Sequence, residues 1–352
     1  MHHEIVEPYN LRNADELSYA DLERLDRDRT VCFCAVSALE VHGPHLPIGA
    51  DLHQACWMAD ETGRRFAERH PDWTVLRYPP LALGTDELPL AGSINTPAAA
   101  VYRVVRAFGE QLVRAGFRHI VLTNAHGGPR HAAALEAASI RISKKHGVAM
   151  IAPSIRALHR MVSGQALEQV EEFIGRPLSE AERQGATSGE HAGTWETAWY
   201  LAKRPELVAP EFKSLEADEP PRWRPLARLG EWLERRSRAK PESQGLALHE
   251  VMASLAGAIG WMLNARFGYG RGGARTTYKG WPAVASRELG EAYAELPVRM
   301  CLEDLEAVVE GRLDPTEIKS IASDPLLIQP GVLRWILIGA GALALVLVWL
   351  AL

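Results

Sequence analysis

Little in this chain points to secretion, nucleic acid or phosphate loops. Four cysteines stand among 352 residues, at positions 32, 34, 56 and 301, and none forms a CxxC pair. Cys32 and Cys34 are two apart in an apolar run, so a strand turns both to one face. They read as reduced core thiols in a reducing compartment, which excludes a disulfide framework. The opening residues MHHEIVEPYN carry neither the basic nor the apolar region of a signal peptide. Net charge is −5, with no Lys/Arg-rich block. The densest basic cluster, Arg235-Arg236 with Arg238 and Lys240, sits beside Glu231 and Glu234, which argues against nucleic acid as a partner. The Gly-rich stretch 266–274 has neither GxGxxG nor GxxxxGK[ST], and internal repeats are absent.

What the chain does have is a βα alternation. Val31–Val36 (VCFCAV) is short, apolar and rich in β-formers, which predicts a buried strand. A helix from about Asp51 to Arg69 follows, then a strand over Trp73–Tyr78. Pro97 opens a helix that Gly116 closes. Ile120–Thr123 predicts a third strand, 132–146 a helix, and Val148–Pro153 a fourth strand. Such alternation implies an α/β fold, a mostly parallel sheet flanked by helices. After Ser154 a charged helical segment covers about 155–184, and another helix opens near 188–197. Residues 210–246, rich in Pro, Arg and Glu, read as an excursion from the core, and the apolar 246–263 as a further helix.

The other end differs in kind. Trp335–Leu352 reads WILIGAGALALVLVWLAL, eighteen residues without a charge, preceded by Arg334. As a helix it would run about 27 Å, close to the ~30 Å hydrocarbon core of a bilayer. Trp335 and Trp349 stand near its ends, where interfacial aromatics belong. The expected organisation is one domain over 1–323, a linker over 324–331, and a transmembrane tail anchor over 332–352. The domain would then face the cytoplasm.

Three polar clusters carry the chemistry, and two of them follow strands: Glu40/His42/His45/Asp51, Asn124/His126, and Glu190/His191/Glu196. Glu40 and His42 point the same way in an extended segment, and the Gly43-Pro44 turn brings His45 and Asp51 back toward them. Mixed carboxylate and imidazole donors suit zinc, manganese or iron. Loops over the carboxyl edge of a sheet can assemble such a site from distant sequence. Taken singly, Asp51 would pass for a helix N-cap, His126 for a hydrogen-bonded loop histidine, and the glutamates for ordinary first-turn residues. Their coincidence favours a site.

Glu-x-His-Gly-Pro-His-Leu-Pro-x-x-x-Asp (40–51), Asn-x-His-Gly-Gly (124–128) and Gly-x-His-Ala-Gly-x-x-Glu-Thr (189–197) together resemble the creatininase (creatinine amidohydrolase) family. The likeness extends to 278–286 with Gly290, and covers about 28–295 outside the excursion. It implies a dinuclear metal amidohydrolase on an α/β sheet, assembled as a homo-oligomer and acting on a small molecule. By position, Glu40, Asp51 and His126 would hold one ion, and His42 with a bridging Asp51 the second. His191, with Glu190 beside it, matches the family's proton-transfer position. Creatininase itself completes the second site with a glutamate where this chain has Gly128, so Glu196 becomes the expected ligand. Pro129-Arg130 replaces the family's usual Asn, and Leu88 stands where a histidine is common. Both changes are expected near the substrate, which points away from creatinine itself. The alternatives are a non-catalytic tail-anchored scaffold and hydrolysis of a lactone or C–C bond.

Overall fold

The computed structural model describes residues 10–187, 190–218, 223–238 and 277–320, with single positions 260 and 339. The linker and tail at 324–352 lie outside these residues, apart from position 339, as do most of 239–276 and Ser188-Gly189. Among the described residues no helix is long and apolar enough to cross a membrane.

Five strands form one parallel sheet: β1 (Leu11–Asn13), β2 (Thr30–Ser37), β3 (Thr74–Ala82), β4 (His119–Thr123) and β5 (Ala149–Ile151), in the order β1-β3-β2-β4-β5. β2 is buried along its whole length, as a central strand covered on both faces must be. Leaving β2, the chain pairs first with β3 on one side and later with β4 on the other. The loops after β2 and β4 therefore diverge and open a crevice at their carboxyl ends.

The intervening helices are α1 (Tyr19–Glu23), α2 (Ala50–Arg69), α3 (Ala98–Arg114) and α4 (Pro129–His146). One sheet face, with Cys32, Cys34 and Leu122, packs against α3 and α4 through Val101, Val105, Leu135 and Ile142. The shared face of the two thiols is as the alternation rule requires, and all four cysteines are free. The other face, with Val31, Phe33 and Val121, packs against Phe66 of α2.

Residues 153–187 form three helices where one charged segment was expected: α5 (Pro153–Val162), α6 (Leu167–Ile174) and α7 (Glu180–Thr187). The breaks fall at Gly164 and Gly175, whose φ values of 80° and 73° no continuous helix accommodates. Next come α8 (Thr194–Lys203), α9 (Arg224–Arg238) within the excursion, and α10 (Arg287–Val309). α10 was not foreseen. It is buried on several faces and carries Pro297 within it, so it lacks a polar stripe to mark its period. It serves two layers: Leu302, Leu305 and Val308 close the sheet, while Leu289 and Tyr293 pack with Trp195 and Tyr200 of α8 in a second core.

Candidate metal centre and active site

Glu40, His42 and Asp51 follow β2, and His126 follows β4, so all four reach the crevice between diverging loops. Asp51 lies in the first turn of α2, where the helix dipole favours negative charge. It is not the cap, because its oxygens face inward: Oδ1 is 3.2 Å from His42 Nε2 and Oδ2 is 3.1 Å from His126 Nδ1. Glu196, in the first turn of α8, places Oε2 3.4 Å from the same His42 nitrogen. Glu40 Oε2 lies 3.1 Å from His126 Nδ1 and 3.9 Å from His191 Nδ1. All six side chains are buried.

Each imidazole is fixed from behind by a backbone carbonyl. His42 Nδ1 donates to Glu40 O (2.9 Å), His126 Nε2 to Thr85 O (2.9 Å), and His191 Nε2 to Val41 O (2.8 Å). A carbonyl oxygen only accepts, so the hydrogen of each neutral ring sits on its outer nitrogen and the lone pair points into the carboxylates. Second contacts of this kind set tautomer and orientation in metal-binding histidines. Asn124 shapes the approach: its Oδ1 accepts from His126 N–H and its Nδ2 donates to His126 O. Gly128 has to be glycine, since a Cβ there would lie 2.4 Å from His126 Nε2 and 2.5 Å from Thr85 O. Position 128, where the resemblance would place a glutamate ligand, leaves no room for any side chain here.

These donors fit a divalent cation pair. Two three-residue groups, Glu40/Asp51/His126 and His42/Asp51/Glu196, each bring ligand atoms within 4.8 Å of one another and share Asp51. A third group, Glu40/His42/His191, borders them. Glu40 Oε2 is buried and faces the inner nitrogens of His126 and His191, so its charge must be met by a cation or by a proton on His126. Without ions, protons take that place. Burial pulls His42 down, but Asp51 and Glu196 outweigh it and push it up to about 10. His126 rises likewise: Glu40 and Asp51 overcome its burial. Burial raises Glu196 to about 7 and lowers His191 to about 4, leaving His191 neutral near pH 7.

The remaining expected residues sit around this centre. Glu190 lines the same cavity, but its carboxylate accepts N–H bonds from Gly193, Trp195 and Glu196 and so caps α8. Burial, with Glu196 close by, pushes it up to about 8. His191 is oriented by Val41 rather than by Glu190. His45 stays outside the ligand groups: it bonds Thr197 Oγ1 at 2.8 Å, and burial lowers it to about 4. Pro129 lines the cavity as expected, whereas Leu88 does not; Leu88 is buried and gives its N–H to Glu40 Oε1.

The cavity over the centre measures about 410 Å³. One wall is α5, whose Ile155, Leu158, His159 and Val162 share one helix face, and Tyr293, Lys279 and Ser320 also line it. A small molecule fits such a volume.

A family model described as creatininase, creatinine amidohydrolase, matches residues 15–305. Solved structures with the same fold include a Bacteroides fragilis protein named for creatinine amidohydrolase, with TM-score 0.52 and 17% identity, over 85% of this chain and 96% of that one. A creatininase named for Mn gives 0.50 and 19%, over 84% and 98%. A glutamate-to-glutamine creatininase variant of Zn-Zn type gives 0.51 and 18%, over 84% and 97%. A search of the curated proteins finds no match.

Proposed function

The chain belongs to the creatininase family of hydrolases, and from that premise we propose that it is a dinuclear metal-dependent amidohydrolase cleaving a C–N bond of a small molecule. The observation that carries this reading is Asp51, whose two oxygens address two different imidazoles at 3.2 and 3.1 Å. Glu40, Asp51 and His126 would hold one ion, and His42, Asp51 and Glu196 the other, as zinc, manganese or iron. Bound there, the pair supplies a water acidic enough to ionise near neutrality and a Lewis acid for the substrate carbonyl.

The chain's own groups do the rest. His191 is neutral and presents Nδ1 toward Glu40, so it can take a proton at Nδ1 and return it to the leaving nitrogen. Val41 O keeps its Nε2–H pointed away from the reaction. Glu190 holds the first turn of α8 and thereby the reach of Glu196. Ile155, Leu158 and Val162 of the α5 wall would receive the apolar part of the substrate.

The test is a panel of amides, lactones and cyclic ketones offered to chelated protein before and after return of Zn²⁺ or Mn²⁺. Turnover of an amide only after metal return supports the reading. Turnover confined to lactones or ketones moves the bond cleaved, and none at all favours a non-catalytic scaffold. The run at 335–352 further suggests a single-span anchor with the domain on the cytoplasmic side, which fractionation of the full chain against one ending at 331 tests.

A further inference from the structure

The two ligand groups are held by different parts of the chain. For Glu40/Asp51/His126 the support is one short loop, Gly84–Leu88. At one end Thr85 O accepts the Nε2–H of His126, and at the other Leu88 N–H donates to Glu40 Oε1. Four consecutive residues thus grip two ligands of the same group. The His42/Asp51/Glu196 group leans elsewhere: His42 on Glu40 O, and Glu196 on the N–H of Ala192.

What holds the loop in that shape is Asp86. Its φ of 79° is left-handed, a conformation that residues other than glycine rarely adopt. Both of its oxygens go to one residue: Oδ2 accepts Arg130 N–H at 2.7 Å, and Oδ1 accepts Arg130 Nε. Its own N–H is taken by Asn95 Oδ1 at 3.2 Å. Arg130 stands in the first turn of α4, four residues after His126, so the pair ties the supporting loop to the segment that carries the ligand. Asp86 lines the cavity, yet with both oxygens on Arg130 it is no ligand itself. At the loop's start, a Cβ on Gly84 would meet Ala38 Cβ at 2.5 Å and Ala38 Cα at 2.9 Å, so the loop packs directly on the segment that follows β2.

We propose that Asp86 and Arg130 form a positioning pair that sets the metal affinity of the Glu40/Asp51/His126 group and leaves the His42/Asp51/Glu196 group unaffected. The inference rests on the dinuclear reading.

The test is calorimetric titration of chelated full-length protein with Zn²⁺, alongside thermal unfolding of the metal-free form. Wild type is expected to show two sites. Asp86→Ala should weaken one of them by about 10–100-fold, the range for lost outer contacts of metal ligands, while the other keeps its Kd. Arg130→Ala, which keeps the backbone N–H to Asp86 and loses the guanidinium bond, should weaken the same site, and Arg130→Lys, which restores a positive charge, should recover part of the loss. Added to His126→Ala, which removes the first site, Asp86→Ala should leave the remaining site unchanged; a general loss of structure would weaken it. Should Asp86→Ala fail to fold, Arg130→Ala carries the same expectation. Equal weakening of both sites, or of neither, in variants of a two-ion protein overturns the pair. A wild-type protein that takes up no metal overturns the dinuclear reading, and the pair's role with it.

Discussion

The two halves of the proposed metal centre share Asp51 and meet again where the Glu40 carbonyl holds His42, but are otherwise supported by different parts of the chain. The Glu40/Asp51/His126 half is built where β2 and β4 end, from loops whose position the central sheet dictates. The His42/Asp51/Glu196 half is completed by α8, which belongs to a second layer packed on α10 through the stacked rings of Trp195 and Tyr293. Each half has a left-handed residue other than glycine in its support, Asp86 (φ 79°) in the loop under Glu40 and His126 and Ala192 (φ 48°), whose N–H reaches Glu196, and each such residue costs about 1–3 kcal/mol. One half depends on the sheet edge and the loop that braces it; the other depends on the contact between two layers.

That contrast can be broken at several strengths. His126→Ala and Glu196→Gln strike one half each. Either should lower turnover by roughly 10³-fold or more, the several kcal/mol that an ion contributes to a transition state, and steady-state kinetics on metal-loaded protein reads it. Trp195→Ala strikes the layer contact. Trp195 is fully buried, so the loss should be about 3–5 kcal/mol of stability, with Zn²⁺ affinity falling at the Glu196 half before the His126 half.

A further effect, gradual and reversible, is on pH. His42 is raised above its ordinary 6.5 to about 10, so the folded, metal-free chain holds that proton more tightly than the unfolded one. The resulting stabilisation is full below about 6.5 and lost as pH climbs through about 10. Chelated protein should therefore show a falling Tm between these values, at roughly 2–4 °C per kcal/mol. Metal-loaded protein should resist the fall, because ions bind better as the imidazoles lose protons.

The sheet half was the more legible in sequence, for a physical reason. VCFCAV is a short apolar run with one solution, a buried strand, and a polar loop after such a strand has one edge to sit on. Hence Glu40, His42, Asp51 and His126 come together as their spacing suggested. Glu196 stood out in the sequence only as part of the third polar cluster, and its pairing with His42 came from the resemblance to the family, since that distance depends on how α8 docks. The supporting contacts left no trace at all: Thr85 acts through its carbonyl and Leu88 through its N–H, and any residue offers both. That is why an apolar side chain at position 88 is compatible with the bond to Glu40. Glu190 looked like a partner of His191 because it is adjacent in sequence, but its carboxylate turns to the start of α8. α10 escaped notice because a helix apolar on several faces has no amphipathic period to read.

The most direct test of a centre joined by one carboxylate is metal content by elemental mass spectrometry, on wild type and Asp51→Asn, both reloaded after chelation. The account predicts about two ions per chain in wild type and almost none in the variant, whose remaining ligands are two to each half. Two ions retained in Asp51→Asn, or none in wild type, would contradict it.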